Sequence, residues 1–79
     1  MDKTDILNRV ISLLAIVSET EGNIDANSEL INDLEISSMD LLFLVSSLEE
    51  EFKISIPEEK IRKMFTVADI VDTIVDLLI

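Results

Sequence analysis

The strongest constraint in this 79-residue sequence is the helical spacing of its apolar residues. In three separate segments, apolar side chains recur every three or four positions, which places them along one face of an α-helix. No segment alternates apolar and polar residues convincingly, so we predict an all-α protein without a sheet. The three faces comprise Ile6, Leu7, Val10, Leu13, Leu14 and Val17; Leu41, Leu44, Val45, Leu48 and Phe52; and Val67, Ile70, Val71, Ile74, Leu77 and Leu78.

Capping residues predict where the first two helices begin. We expect helix one at about 4–18, with Thr4 or Asp2 at its start, because short polar side chains accept hydrogen bonds from free amides there. Ser37 is the expected cap of a second helix at about 38–52, and the aspartate three positions later resembles the acidic half of a capping box.

Two further patterns predict the remaining helices. Pro57 suits the first position of a short third helix, which we place at 57–63. Thr66 and Asp69 form a T-x-x-D capping box at the start of a fourth helix. The expected fold is therefore a small four-helix bundle that forms a single domain over 1–79.

A long polar connection, SETEGNIDANSELINDLEI, separates the first two helices and contains the only glycine. A connection of this length is uncommon in a compact domain unless it is functional or held in place. We expect residues 27–33 to form a short helical turn. Apolar residues are expected to hold the loop against the core, namely Ile24, Leu30, Ile31, Leu34 and Ile36.

The charge balance limits the possible partners. The chain has six basic and seventeen acidic residues, and its formal net charge is −11. Phosphate backbones and anionic membrane surfaces would be repelled, so we expect no nucleic-acid partner. A partner protein with a basic surface would be attracted, although the acidity could also serve solubility alone.

The residue types present also exclude several kinds of chemistry. The chain has no His and no Cys, so a serine would lack the usual base and no thiolate metal site can form. Glu49, Glu50 and Glu51 are consecutive and should diverge around a helix instead of converging on a metal ion. We predict no catalytic residue and no metal site.

The sequence has features of a cytoplasmic protein. Its first residues, MDKTDILNRV, do not have the basic start of a secretory signal. Its apolar stretches are interrupted well before the roughly 20 residues that a membrane span requires. We expect a monomer in the cytoplasm, with no span.

Two adjacent serines lie at the start of the second helix in EISSMDLLFLVSSLEEEF. Ser37 is interpreted as the cap. Ser38 would project beside the positive end of the helix, where a phosphate diester is well tolerated, so another enzyme could attach a phosphate-linked group there. The alternative is that Ser38 only fills a helical position.

The second helix is expected to carry a distinct outward face. At 100° per residue, Met39, Phe43, Ser46 and Glu50 lie opposite the core face, and Leu42 lies on the flank. Met39 and Phe43 would then form an exposed apolar patch beside Ser38. The alternative is that Phe43 folds onto its apolar neighbours and has no further role.

Together these motifs resemble the acyl carrier protein family. The resemblance rests on DLEISSMDLLFLVSSLEEEFKISIPEE followed by TVADIVDTI, which match the family's lead-in, S-L-D, L-E-E-x-F, I-P and T-V elements in order. It covers essentially the whole chain. It implies that Ser38 carries a covalent 4′-phosphopantetheine arm derived from coenzyme A, which holds acyl groups as thioesters. It also implies a phosphopantetheinyl transferase that attaches the arm.

The chain departs from the family pattern at three positions. Ser37 replaces the usual aspartate, Glu35 replaces a common glycine, and Phe43 stands where an acidic residue is common. We infer a specialised member whose partners are acyl-transferring or condensing enzymes of fatty-acid, polyketide or related synthesis. The expected partner face comprises Met39, Asp40, Leu42, Phe43, Ser46, Glu49 and Glu50.

Two alternatives to this function remain open. An aminoacyl or peptidyl carrier would have the same fold and arm. An unmodified acidic helical module could instead use the Phe43 patch to bind a partner, and the glutamate run could be no more than a solvated helix end.

Overall fold

The computed structural model describes residues 2–18 and 23–78, and in these ranges it contains four helices and no strand. The all-α fold and the short third helix are as predicted from the sequence. Part of the predicted long loop, residues 19–22, lies outside the described residues. The helices are α1 (Lys3–Val17), α2 (Ser38–Phe52), α3 (Glu58–Ile61) and α4 (Val67–Leu78).

The core lies between the three longer helices, because α1 packs against both α2 and α4. The predicted apolar faces supply most of it, and each fully buried Leu or Ile side chain contributes roughly 1.5–3 kcal/mol. Five residues of these faces are half-buried and pack at the edge of the core, namely Leu7, Leu13, Val17, Leu41 and Leu77. Leu78 is 43% exposed, so its predicted core position is wrong. The buried helical residues are Ile6, Val10, Leu14, Leu44, Val45, Leu48, Phe52, Val67, Ile70, Val71 and Ile74.

Three of the five apolar residues of the loop are buried as predicted, namely Leu30, Leu34 and Ile36, and Ile24 is half-buried. Ile31 is 67% exposed, so its predicted core role is wrong. It lies in a turn directly after Leu30, and this turn directs the Leu30 side chain into the core and the Ile31 side chain outward. The amides of Asp33 and Leu34 donate to the Glu29 carbonyl, so a single turn forms at 29–34, slightly later in the chain than the short helical turn expected over 27–33.

A short backbone ladder ties this loop to the start of α4. The Leu30 N–H donates to the Phe65 carbonyl at 2.9 Å, and the Val67 N–H donates to the Ser28 carbonyl at 3.1 Å. Between these bonds lies an isolated antiparallel bridge from Glu29 to Thr66. The loop is therefore attached through its backbone as well as through its buried side chains.

The helix starts agree with the sequence to within one or two residues. Thr66 and Asp69 form the predicted box, since the Asp69 N–H donates to Thr66 Oγ1 and the Thr66 N–H donates to Asp69 Oδ2. Asp2 lies at the cap position of α1 but makes no capping hydrogen bond. Pro57 precedes α3 instead of starting it, because its ψ of 147° is extended.

Among the described residues, two other than glycine have positive φ angles, Glu35 at 54° and Lys53 at 55°. Lys53 ends α2 in the left-handed conformation, and its N–H donates to the Glu49 carbonyl. A left-handed residue with a Cβ costs roughly 1–2 kcal/mol, so both positions favour glycine. For Glu35 this explains the glycine of the family pattern.

We predict that Lys53→Gly stabilises the protein. The gain should be about 0.5–1 kcal/mol, because the relief of the Cβ clash exceeds the extra entropy of glycine in the unfolded chain. In thermal melts this corresponds to a rise of roughly 2–8 °C for a domain of this size. Lys53→Ala keeps the Cβ and should give no gain. If both substitutions raise the melting temperature equally, the gain comes from loss of the lysine charge and not from relief of the Cβ clash.

Candidate functional site

The two adjacent serines have different roles in the structure. Ser37 is the N-cap of α2: its Oγ accepts the Asp40 N–H at 3.2 Å, and Asp40 Oδ2 accepts the Ser37 N–H at 3.3 Å. This is the capping box predicted from the sequence. Because Ser37 and Asp40 satisfy each other, the start of α2 does not need the side chain of Ser38.

Ser38 is exposed in the first turn of α2. Its hydroxyl makes no hydrogen bond to any part of the chain that the structure describes. The amides at the start of a helix carry partial positive charge, so a phosphate attached to this oxygen would be favourably placed. An accessible, unengaged hydroxyl at a helix N-terminus fits a covalent phosphodiester attachment.

A cleft of ≈ 360 Å³ opens beside Ser38, between α2, the loop before it and the segment that precedes α4. This cleft was not predicted from the sequence, because its walls come from three separate parts of the chain. Its wall residues include both serines, four apolar residues that are buried or half-buried, and two exposed apolar residues at its edges. In that order they are Ser37 and Ser38; Leu30, Ile36, Leu41 and Met64; and Ile31 and Phe65.

The outward face of α2 is exposed as the helical periodicity predicted. Met39 is 80% exposed, and Leu42 and Phe43 are each 62% exposed. Ser46 and Glu50 continue this face and are also exposed. An apolar surface of three large side chains next to Ser38 is a feature of binding surfaces. That these residues bind a partner stays a prediction.

The three consecutive glutamates diverge, as expected. Glu49 Oε2 accepts the backbone N–H of Ile56 at 2.7 Å, across the turn that follows α2. Glu51 accepts Arg9 of α1 at 2.8 Å, and Glu50 is exposed. The carboxylate of Glu49 is therefore engaged within the fold, which makes it less available for the predicted docking of a partner. The same holds for the carboxylate of Asp40, which accepts the Ser37 N–H in the capping box.

Comparisons with known proteins show what the chain as a whole is similar to. The family described as phosphopantetheine attachment site matches residues 5–74. An acyl carrier protein of Rubrobacter xylanophilus is 34% identical over 77 residues, with 96% of this chain and 95% of that protein covered. One of Helicobacter hepaticus is 43% identical over 65 residues, with 76% and 84% covered. A solved Mycobacterium tuberculosis chain, described as a candidate acyl carrier protein, has a TM-score of 0.84 at 27% identity, with 90% of this chain and 96% of that chain covered.

This chain belongs to the acyl carrier protein family. Proteins of the family hold a covalently attached 4′-phosphopantetheine group and act as carriers and not as enzymes. They interact with a phosphopantetheinyl transferase and with the enzymes of synthesis. The family and the prosthetic group expected from the sequence are thus confirmed. None of the helices described here is long and apolar enough to cross a membrane, and no group of acidic residues among the described ones could hold a metal ion.

We predict that Glu49 stabilises the fold. Glu49→Ala removes the acceptor of the Ile56 N–H and should lower the free energy of unfolding by about 1–3 kcal/mol. Urea denaturation of the unmodified protein measures this loss. Glu50→Ala, one residue away on the exposed face, should stay within about 0.5 kcal/mol of the parent. If both substitutions change the free energy of unfolding by the same small amount, Glu49 does not stabilise the fold and its carboxylate is available for docking.

Proposed function

We propose that this protein carries acyl intermediates as thioesters on a 4′-phosphopantetheine arm attached to Ser38. The observation that supports Ser38 as the attachment residue is the difference in environment between the hydroxyls of the two serines. Ser37 caps α2 through its hydroxyl, whereas the hydroxyl of Ser38 is exposed and makes no hydrogen bond to the described residues. Modification of Ser38 therefore leaves the start of the helix intact.

The attachment requires a separate enzyme. Ser38 Oγ forms a bond to the phosphorus of coenzyme A that bears the pantetheine, the pyrophosphate bond breaks, and adenosine 3′,5′-bisphosphate leaves. The serine proton must pass to a base of the transferase, since this chain has no His. The attached arm supplies the thiol that the chain lacks, and on it acyl groups are held as thioesters. The chain itself contributes the exposed hydroxyl and the positive helix end that faces the phosphate.

The proposed cargo is an acyl intermediate of fatty-acid, polyketide or related synthesis. The apolar cleft beside Ser38 supports an acyl group over a charged one. An aminoacyl or peptidyl carrier has the same fold and remains the second candidate. The alternative of an unmodified helical module that only binds a partner is disfavoured, because proteins of the family carry a covalent prosthetic group. The cytoplasmic location stays a prediction from the sequence.

We also propose that enzymes dock on the outward face of α2. Its centre is apolar, formed by Met39, Leu42 and Phe43, and Ser46 and Glu50 lie at its edge. Apolar anchors inside a polar rim are the usual arrangement of a protein interface. The net charge of −11 would draw in partners with basic residues around an apolar pocket.

Intact-mass analysis tests the attachment site. After incubation with coenzyme A and a broad-specificity phosphopantetheinyl transferase, the protein should gain the mass of one phosphopantetheine. Ser38→Ala should abolish the gain because it removes the attacking oxygen. Ser37→Ala is the matched control and should still be modified. Modification that persists in Ser38→Ala would refute Ser38 as the attachment residue. If the parent protein gains no mass, the proposal that this transferase attaches an arm to it is refuted.

The docking face can be tested with the transferase as the partner. Phe43→Glu places a charge at the centre of the proposed face and should lower the kcat/KM of arm attachment about tenfold, as expected for loss of an apolar anchor. Ile16→Glu adds the same charge at another exposed apolar residue, on α1, and serves as the control. Circular dichroism should show unchanged helix content in both. Equal kinetic losses would show that added charge alone accounts for the effect.

A further inference from the structure

Phe65 is an exposed aromatic residue whose backbone is bonded on both sides. Its N–H donates to Asp69 Oδ2 at 2.9 Å, and its carbonyl accepts the Leu30 N–H at 2.9 Å. The side chain is nevertheless 66% exposed, and among the three phenylalanines it is the one that lies outside the helices. A side chain presented from a fixed backbone loses little conformational freedom when a partner covers it, which favours an anchor in an interface.

A second exposed apolar side chain lies beside Phe65. Ile31 directly follows Leu30, whose N–H is bonded to the Phe65 carbonyl, and it is 67% exposed. The two side chains come from different parts of the chain and are brought together by backbone hydrogen bonds. Either side chain can therefore be shortened without loss of those bonds. Neither residue belongs to the core or to the outward face of α2.

The segment before Phe65 is unusually basic for this chain. Three of its six basic residues lie at positions 60–63. Arg62 pairs with Glu58 at 3.0 Å, whereas Lys60 and Lys63 make no ion pair with any residue that the structure describes. The Lys63 N–H donates to the Lys60 carbonyl at 3.1 Å, so the two lysines are three positions apart in one helical turn and lie on the same side.

The carboxylates near these lysines are largely engaged within the fold. Glu58 accepts Arg62, and Asp69 accepts the backbone amides of Phe65 and Thr66. Glu59 is exposed and makes no hydrogen bond to the described residues. Two unpaired lysines thus stand beside an exposed aromatic ring, which is the reverse of the outward face of α2, where Glu50 borders the apolar residues.

The charge of the whole chain restricts what can cover this basic surface. A net charge of −11 repels a second copy, a nucleic acid and an anionic membrane, all of which are extended or strongly charged anions. A protein segment with a few carboxylates differs, because charges farther apart than the Debye length of roughly 8 Å are screened at physiological salt. Such a segment would interact mainly with the nearest lysines.

We propose that Ile31, Lys60, Lys63 and Phe65 form a second docking surface, which binds a protein segment that presents carboxylates beside apolar side chains. This inference goes beyond the proposed function and does not depend on the arm at Ser38, because the surface is complete in the unmodified chain. It is separate from Met39 and Phe43 on the outward face of α2. A partner held here can therefore remain bound while enzymes exchange on that face.

The test uses the unmodified full chain and a pair of synthetic amphipathic peptides. Both peptides carry leucines at the same helical positions, with glutamates at the polar positions of one and lysines at those of the other. NMR amide shifts at physiological salt report where each peptide binds. The glutamate peptide should shift the signals of Ile31 and of residues 60–65, whereas the lysine peptide should shift those of the outward face of α2.

Matched variants separate the local surface from the overall charge. Lys63→Glu should weaken binding of the glutamate peptide at least about fivefold, as expected for reversal of a close charge pair. Lys53→Glu makes the same change in net charge at another exposed lysine without an ion pair among the described residues, and it should change the affinity less than about twofold.

The aromatic anchor is tested in the same way. Phe65→Ala should weaken the glutamate peptide about tenfold, whereas Phe43→Ala, at a similarly exposed phenylalanine on α2, should have little effect. Circular dichroism should show unchanged helix content in all variants. Equal losses within either pair would overturn the assignment, as would a glutamate peptide that leaves residues 60–65 unshifted or a lysine peptide that binds there as tightly.

Two other occupants would be recognised by separate measurements. Binding to phosphatidylglycerol vesicles that is lost in Lys63→Glu, without binding of the glutamate peptide, would overturn the proposal in favour of a lipid surface. Self-association in analytical ultracentrifugation that is lost in Phe65→Ala would overturn it in favour of a second copy.

Discussion

The capping box between Ser37 and Asp40 is the interaction on which the arrangement of the site depends. It fixes the residue at which α2 begins, and the helical repeat then determines which side chains face the core. A shift of the helix by one residue against the core would turn it by about 100° and bury part of the outward face. The same box satisfies the amides of Ser37 and Asp40, and the side chain of Ser38 stays exposed and without a structural hydrogen bond.

Much of the acidity of this chain has a structural use. Besides Asp40, the carboxylates of Asp33, Glu49 and Asp69 each accept a backbone N–H at a turn or a helix start. These bonds hold irregular segments in a domain too small to bury them deeply. Solubility and attraction of a basic partner are therefore only part of the explanation of the net charge of −11. Exposed acidic residues such as Glu50 are the ones available to a partner.

The sequence predicted the parts of the fold that depend on local pattern. The bounds of α2 and its two faces follow from the cap and from the spacing of apolar residues, and both were correct. The exposure of Ile31 could not be predicted, because in an irregular segment the direction of a side chain depends on the turn and not on a repeat. The role of Glu49 was hidden for a related reason, since its partner is the amide of Ile56 across a turn. The cleft required the contact between residues near 30 and residues near 65, which no local pattern reveals.

The two apolar surfaces next to Ser38 lie on opposite sides of α2. Leu41 lines the cleft, and Met39 and Phe43 are each two residues away, which is a rotation of about 200° on a helix. Under the proposed function, an enzyme bound to Phe43 would not cover the cleft, because the residues that line the cleft are not those that face the enzyme. A substitution on the outward face would therefore change docking without changing the wall of the cleft beside Ser38.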